Sequence, residues 1–147
     1  MFFRLLVLSI LLAGCSTFFI DPLEKFRMEN KEKIAKVATG HTRFEVESIM
    51  GDGSAGGKLP EVFFGRVQYL AAKNPMREEK VAGSDGVEYD VLFYYTDLRA
   101  LDDKITDDEL TPVVLRAGKV AGVGYGFLGE RVPRYRDLAG VPGQGKK

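Results

Sequence analysis

The strongest periodic signal in this chain is a strict alternation. From Val87 to Thr96, apolar Val87, Tyr89, Val91, Phe93 and Tyr95 fall on one face, which predicts a half-buried β-strand. Gly83-Ser84-Asp85-Gly86 precedes it as a hairpin turn, so Arg77–Ala82 pairs as the strand before. A second hairpin runs from Val113–Arg116 through Ala117-Gly118 into Lys119–Phe127. Along that last strand Gly122, Gly124 and Gly126 recur at alternate positions, baring one face. Bare backbone there gives room for close packing of a helix or a large aromatic, or offers a flat surface to a partner.

Helical spacing dominates earlier. Asp21-Pro22-Leu23-Glu24 supplies an N-cap, a proline at the first helical position and an early acid. This predicts a helix over about Pro22 to Ala38, firmest near Glu32–Val37 because Glu29-Asn30-Lys31-Glu32-Lys33 interrupts the apolar stripe, with Gly40 as its terminator. Thr42-Arg43-Phe44-Glu45 is a capping box for a second helix. Val46, Ile49 and Met50 share one face of it, and Gly51 stops it. Two short helices separated by Gly40-His41 form a helical hairpin or corner, expected to pack on the sheet face carrying Val91 and Phe93. The fold class is α+β: an N-terminal helical hairpin on one face of an antiparallel sheet of about four strands. Glu61 to Ala72 suits a short helix or a strand, and Asn74-Pro75 makes a turn.

Before all this, Arg4 and the apolar run Leu5–Leu12 have the order of a secretory signal, too short to span a bilayer. Ala13-Gly14 are the small residues that precede cleavage. Leu12-Ala13-Gly14-Cys15 resembles a bacterial lipobox, in which cleavage falls before the cysteine and the thiol receives a diacylglycerol. That resemblance makes Cys15 the lipidation site and divides the chain into a removed signal (1–14), a lipidated tether (15–21), a domain (22–130) and a flexible, Pro-, Gly- and Arg/Lys-rich tail (131–147). Ser16 stands where the sorting rule of enteric bacteria places Asp for inner-membrane retention, which implies the outer membrane, facing the periplasm, or the cytoplasmic membrane surface in an organism without an outer membrane. Phe18-Phe19-Ile20 then cover the tether's exit or touch headgroups.

Cys15 is the only cysteine of the 147 residues, so no internal disulfide is available to an exported chain. With 21 basic and 21 acidic side chains the net charge is zero, and no basic field points to nucleic acid. What remains after signal removal has one domain's length, enough to bury a core without disulfides.

Residues Val37 to Gly51 carry a further resemblance. Their order of apolar positions, Gly40, Thr42, Val46, Ile49-Met50 and Gly51 resembles the signature of SmpA/OmlA lipoproteins, the BamE-like group. The fold this implies places a helical hairpin on a small antiparallel sheet, as in β-lactamase inhibitor protein. Relative to the smallest members, Lys58 to Pro75 is inserted. The function implied is a non-enzymatic interaction module in outer-membrane assembly or envelope integrity, with a membrane held through the lipid and an envelope protein as partners. The alternative on the same fold is a periplasm-facing binder or inhibitor of another protein or small ligand.

Candidate chemistry is sparse. Gly51-Asp52-Gly53-Ser54-Ala55-Gly56 has the spacing of a dinucleotide fingerprint but follows a helix, and reads as a glycine loop. Gly124–Gly129 repeats the spacing with Pro133 too close behind for a βαβ unit. Asp102-Asp103 and Asp107-Asp108-Glu109 lack calcium-loop spacing and read as a solvated loop. His41 is the only histidine and reads as a cap in the corner; Ser48, Ser54 and Ser84 lack a nucleophile-elbow pattern. No catalytic residue, metal site or cofactor is assigned.

Overall fold

The computed structural model describes residues 21–58, 69–100, 102 and 104–140. Helix α1 spans Pro22–Ile34 and α2 Arg43–Met50. Strands follow at β1 (Ser54–Lys58), β2 (Tyr69–Lys73), β3 (Arg77–Ala82), β4 (Glu88–Tyr95), β5 (Leu110–Arg116) and β6 (Lys119–Val123). Helix α3 (Tyr125–Arg131) and a 3-10 stretch, Pro133–Gly140, complete the order. A four-stranded sheet runs β3-β4-β5-β6 and a two-stranded sheet pairs β1 with β2; all neighbours are antiparallel. The class is α+β, as the patterning predicts.

Helix α1 starts as expected: the Asp21 carboxylate accepts from the Leu23 amide at 2.8 Å and Pro22 needs no partner for a missing N–H. Its extent differs. It ends at Ile34 with Ala35 as C-cap, so the expected Glu32–Val37 is helical only to Ile34, and the buried residues of the helix are Leu23, Phe26 and Asn30. The polar run does not break the helix, because Glu29, Lys31 and Glu32 face solvent while Asn30 is buried with partners of its own. Burial of one amide inside a polar stretch leaves no periodic signal.

The corner keeps its expected caps, but Gly40 does not terminate α1, which ends at Ile34, so residues 35–42 join the two helices rather than a tight Gly40-His41 turn. Gly40 has φ +91°, and Gly51 closes α2 with φ +72°. The Thr42 hydroxyl accepts from the Glu45 amide at 3.3 Å, and the Glu45 carboxylate accepts from the Thr42 amide at 2.7 Å. The corner also does what local reasoning does not reach. The Gly40 amide donates to Val120 O at 2.8 Å, Val120 N to His41 O at 2.7 Å, and Arg43 N to Gly118 O at 3.0 Å. It thereby covers part of the β6 edge, whose backbone groups would otherwise lie open.

The sheet is buried on both faces. One face carries Val81, Tyr89, Val91, Phe93, Tyr95, Leu110 and Val114, packed with Tyr125, Leu128, Val132 and Tyr135. The other carries Leu92, Tyr94, Val113, Leu115 and Val120, packed with Val37, Val46 and Met50. The face assignment of α2 is therefore corrected: Val46 and Met50 lie on the Leu92–Tyr94 side, not the Val91–Phe93 side. From Val91 to Tyr95 every position is buried, so the apolar pattern alone does not choose which face meets which helix.

The Val91–Phe93 face belongs to the C-terminal segment. The last strand, expected to reach Phe127, stops at Val123, because Gly124 turns at φ +86° and caps α3. The boundary expected at residue 130 falls inside α3, and the tail expected from 131 is folded through Gly140, with Tyr135 buried. Its ring lies 5.9 Å from Phe93 and 5.8 Å from Tyr125, centroid to centroid. The return is tight: a Cβ on Gly129 of α3 would meet Tyr135 O at 2.9 Å.

Two further readings change. The glycine loop expected after Gly51 contains β1, paired from Ser54↔Lys73 to Lys58↔Tyr69. Apart from Ala55, which packs against the core, the strand offers glycines and polar residues, so side-chain patterning misses it. Of the ambiguous 61–72 segment, residues 69–72 are strand and 61–68 lie outside the described residues. In the acidic loop, Asp107–Glu109 forms a 3-10 turn and Glu109 is 1% exposed. Its carboxylate accepts from the amides of Arg99 at 2.8 Å, Ala100 at 3.4 Å and Thr106 at 3.0 Å. This acid holds the loop closed from inside rather than facing water.

Candidate functional site

Cys15 and the rest of 1–20 lie outside the described residues, so the assigned lipidation site is located only by the chain that leaves Asp21. Asp21 caps α1 at one end of the sheet. From there α1 crosses that end: Leu23 and Phe26 join the Val91–Phe93 side, and Ile34 packs on the Leu92–Tyr94 side. Midway, Asn30 Nδ2 donates to Tyr95 O at 3.0 Å, the last residue of β4.

The opposite end carries the corner and both hairpin turns, with α2 lying over the sheet. Arg43 on α2 pairs with Glu47 at 2.7 Å and reaches edge strand β3 at Glu78, 2.6 Å away. Lys80 sits 3.6 Å from both Glu88 and Asp90. Between them is a shallow cavity of about 120 Å³ lined by Arg43, Glu78, Lys80 and Asp90. Hydrogen bonds donated to Glu78 and then to Glu47 push the Arg43 guanidinium pKa up. These charges neutralise one another at an exposed edge, where such pairs contribute about 0–1 kcal/mol each. Alternating charges also discourage other strands from pairing with β3. Beneath them Tyr94 is buried, and burial followed by the Glu47 and Glu78 charges pushes its phenol up.

On the other face, Arg77 lies 4.2 Å over the Phe93 ring and bonds Asp107 at 2.8 Å. Its Nε is 2.8 Å from Glu79 in an ion pair without hydrogen-bond alignment. Burial opposes the Arg77 charge, but the Asp107 hydrogen bond and the Asp107 and Glu79 charges outweigh it, and the pKa rises. Tyr125 Oη donates to Asp107 O at 2.7 Å and Tyr135 Oη donates to Glu79 at 2.7 Å; Arg134 also pairs with Glu79. Burial pushes both phenols up. The arrangement ties β3 to the C-terminal segment and leaves no activated nucleophile. Sequence reading missed Arg77, Glu79, Tyr125 and Tyr135 as a group. The aromatics Tyr125, Phe127 and Tyr135 are the signal that could have found it.

The remaining candidates are structural. His41 Nδ1 accepts from the Ala38 amide at 3.3 Å, a cap within the corner. Ser48 Oγ donates to Phe44 O at 2.8 Å. A Cβ on Gly122 would collide with the Phe127 ring, so the bare face of β6 is occupied by an aromatic, as the packing reading holds. Among the described residues, no group of three or more His, Cys, Asp and Glu converges on a metal position, and no helix is long and apolar enough to cross a membrane. The exposed large apolar side chains among the described residues are Met28 at 45%, Phe44 at 77% and Leu98 at 38%. Comparison with protein-family models, curated proteins and solved structures finds no match.

Proposed function

We propose that this chain is a lipoprotein held in the outer membrane through acylated Cys15, whose domain works by non-enzymatic contact with envelope proteins in outer-membrane assembly or integrity. The observation that carries the reading is Leu12-Ala13-Gly14-Cys15 placed directly after an apolar run, with the folded domain opening soon after at Asp21. An α+β domain with a capped helical corner is consistent with the SmpA/OmlA resemblance. Charges paired with one another along the exposed β3 edge are consistent with a contact surface.

Two measurements test it. Mass spectrometry of the mature N-terminus is expected to find an acylated cysteine, with Cys15→Ala leaving unprocessed precursor; a mature chain starting elsewhere with a free thiol overturns the anchor. Crosslinking in the intact envelope is expected to recover an outer-membrane assembly complex. Recovery of a soluble periplasmic protein instead supports the binder or inhibitor reading.

A further inference from the structure

We propose that the end of the sheet crossed by α1 faces the bilayer, with Met28 and Leu98 against its headgroup layer; this rests on the acylation of Cys15. Fully extended, the chain from Cys15 to Asp21 spans about 20 Å at most. That limit keeps the root of α1 close to the lipid. Helix α1 is itself about 20 Å long, so all of it lies within the same distance of that root.

The buried side of α1 is set by Leu23, Phe26 and Asn30. Met28 stands about 140–200° around the helix from each, on the outward side. Outward here means away from β1 and from the Tyr95 end of β4, the parts of the domain that α1 packs against. Leu98 belongs to the same end: it follows Tyr95, whose carbonyl Asn30 holds, and Asp97 N donates to Glu109 O at 3.0 Å. Two exposed large apolar side chains thus lie at the α1 end of the sheet, Met28 on the helix and Leu98 just after β4. Around Met28, Lys25 pairs with Glu29 at 3.9 Å, a rim of both signs suited to headgroups rather than to insertion among acyl chains.

Phe44 marks the other end. Arg43 N bonds Gly118 O in the β5–β6 turn, while β5 starts at Leu110 opposite Tyr95. Strand β5 separates the two ends by about 20 Å. Phe44 therefore points to the side left open to a protein partner when the α1 end rests on lipid.

The test uses the full acylated chain in phosphatidylethanolamine–phosphatidylglycerol vesicles containing a headgroup-attached spin-label quencher. Met28→Cys, Leu98→Cys and Phe44→Cys each introduce one thiol for a fluorophore, since acylated Cys15 offers none. Mass spectrometry verifies the acyl group in each preparation. Quenching at positions 28 and 98 is expected to exceed that at 44 several-fold. Equal quenching at the three positions, or strongest quenching at 44, in verified acylated protein overturns the orientation and leaves the anchor intact. A chain that carries no acyl group overturns both.

Discussion

Asn30 and Asn74 exchange two hydrogen bonds through their side-chain amides in the interior. Asn30 Nδ2 donates to Asn74 Oδ1 at 2.9 Å, and Asn74 Nδ2 donates back to Asn30 Oδ1 at 2.8 Å. Each spends its other N–H on a backbone carbonyl, Asn30 on Tyr95 O at 3.0 Å and Asn74 on Met50 O at 3.0 Å. Four segments meet at this pair: α1, the turn before β3, the end of β4 and the end of α2. Removing either amide strands buried partners, each costing about 1–3 kcal/mol. Asn74→Ala is expected to lower stability by about 2–4 kcal/mol in urea unfolding. A double-mutant cycle with Asn30→Ala should show strong coupling. Additive losses would mean the two amides act independently.

Phe93→Ala removes a fully buried ring that lies beside Tyr125 and Tyr135 and beneath Arg77, and is expected to cost about 3–5 kcal/mol. A melting temperature unmoved by the change would place Phe93 outside the core.

Gly122→Ala puts a methyl group against the Phe127 ring and is expected to destabilise by about 1–3 kcal/mol. Phe127→Ala in the same chain should recover part of that loss. Thermal unfolding of the single and double variants decides it, and no recovery would separate the two residues.

In the corner, Thr42→Ala is expected to cost about 1 kcal/mol by leaving first-turn amides unsatisfied. Nothing crowds a Cβ at Gly40, so the penalty there is backbone alone, at φ +91°. Gly40→Val should therefore be clearly worse than Gly40→Asn, which tolerates positive φ. Equal melting temperatures for the two variants would remove the conformational explanation.

The pH response has two limbs. Hydrogen bonds from the Thr42 amide and hydroxyl hold Glu45 below its ordinary pKa. Its contribution is full above the unfolded carboxylate value and is lost as pH falls through the lower folded one. Glu45→Gln should flatten the acid limb of a stability–pH curve. At the alkaline end, burial first and then the Glu109 charge push Tyr95 up to about 12, and Tyr94, Tyr125 and Tyr135 rise as well. Stability they lend is full below the unfolded phenol value and lost as pH rises through the folded ones. An ultraviolet titration should show these phenols ionising only as the chain unfolds. Full reversible ionisation near pH 10 in folded protein would contradict their burial.

Local chemistry was legible from the sequence. A cap needs only Thr42 and Glu45, a stop only Gly51, a hairpin only Gly83–Gly86 or Ala117-Gly118, and the lipobox only contiguous residues. Each signal lies within one turn or one motif, so the sequence by itself determined the α+β class, the corner, both main hairpins and the expectation of a lipid at Cys15. Tertiary structure decided what depends on distant partners. It chose the face of β4 for α2, because Leu92 and Tyr94 are as apolar as Val91 and Phe93. It ended β6 at Val123 and folded the C-terminal stretch onto Phe93, since Tyr135 gains a site only once Tyr125 is in place. It buried Asn30 and Glu109, polar residues whose cost is offset by donors and acceptors far along the chain or in a closed loop, a relationship that no window of sequence contains.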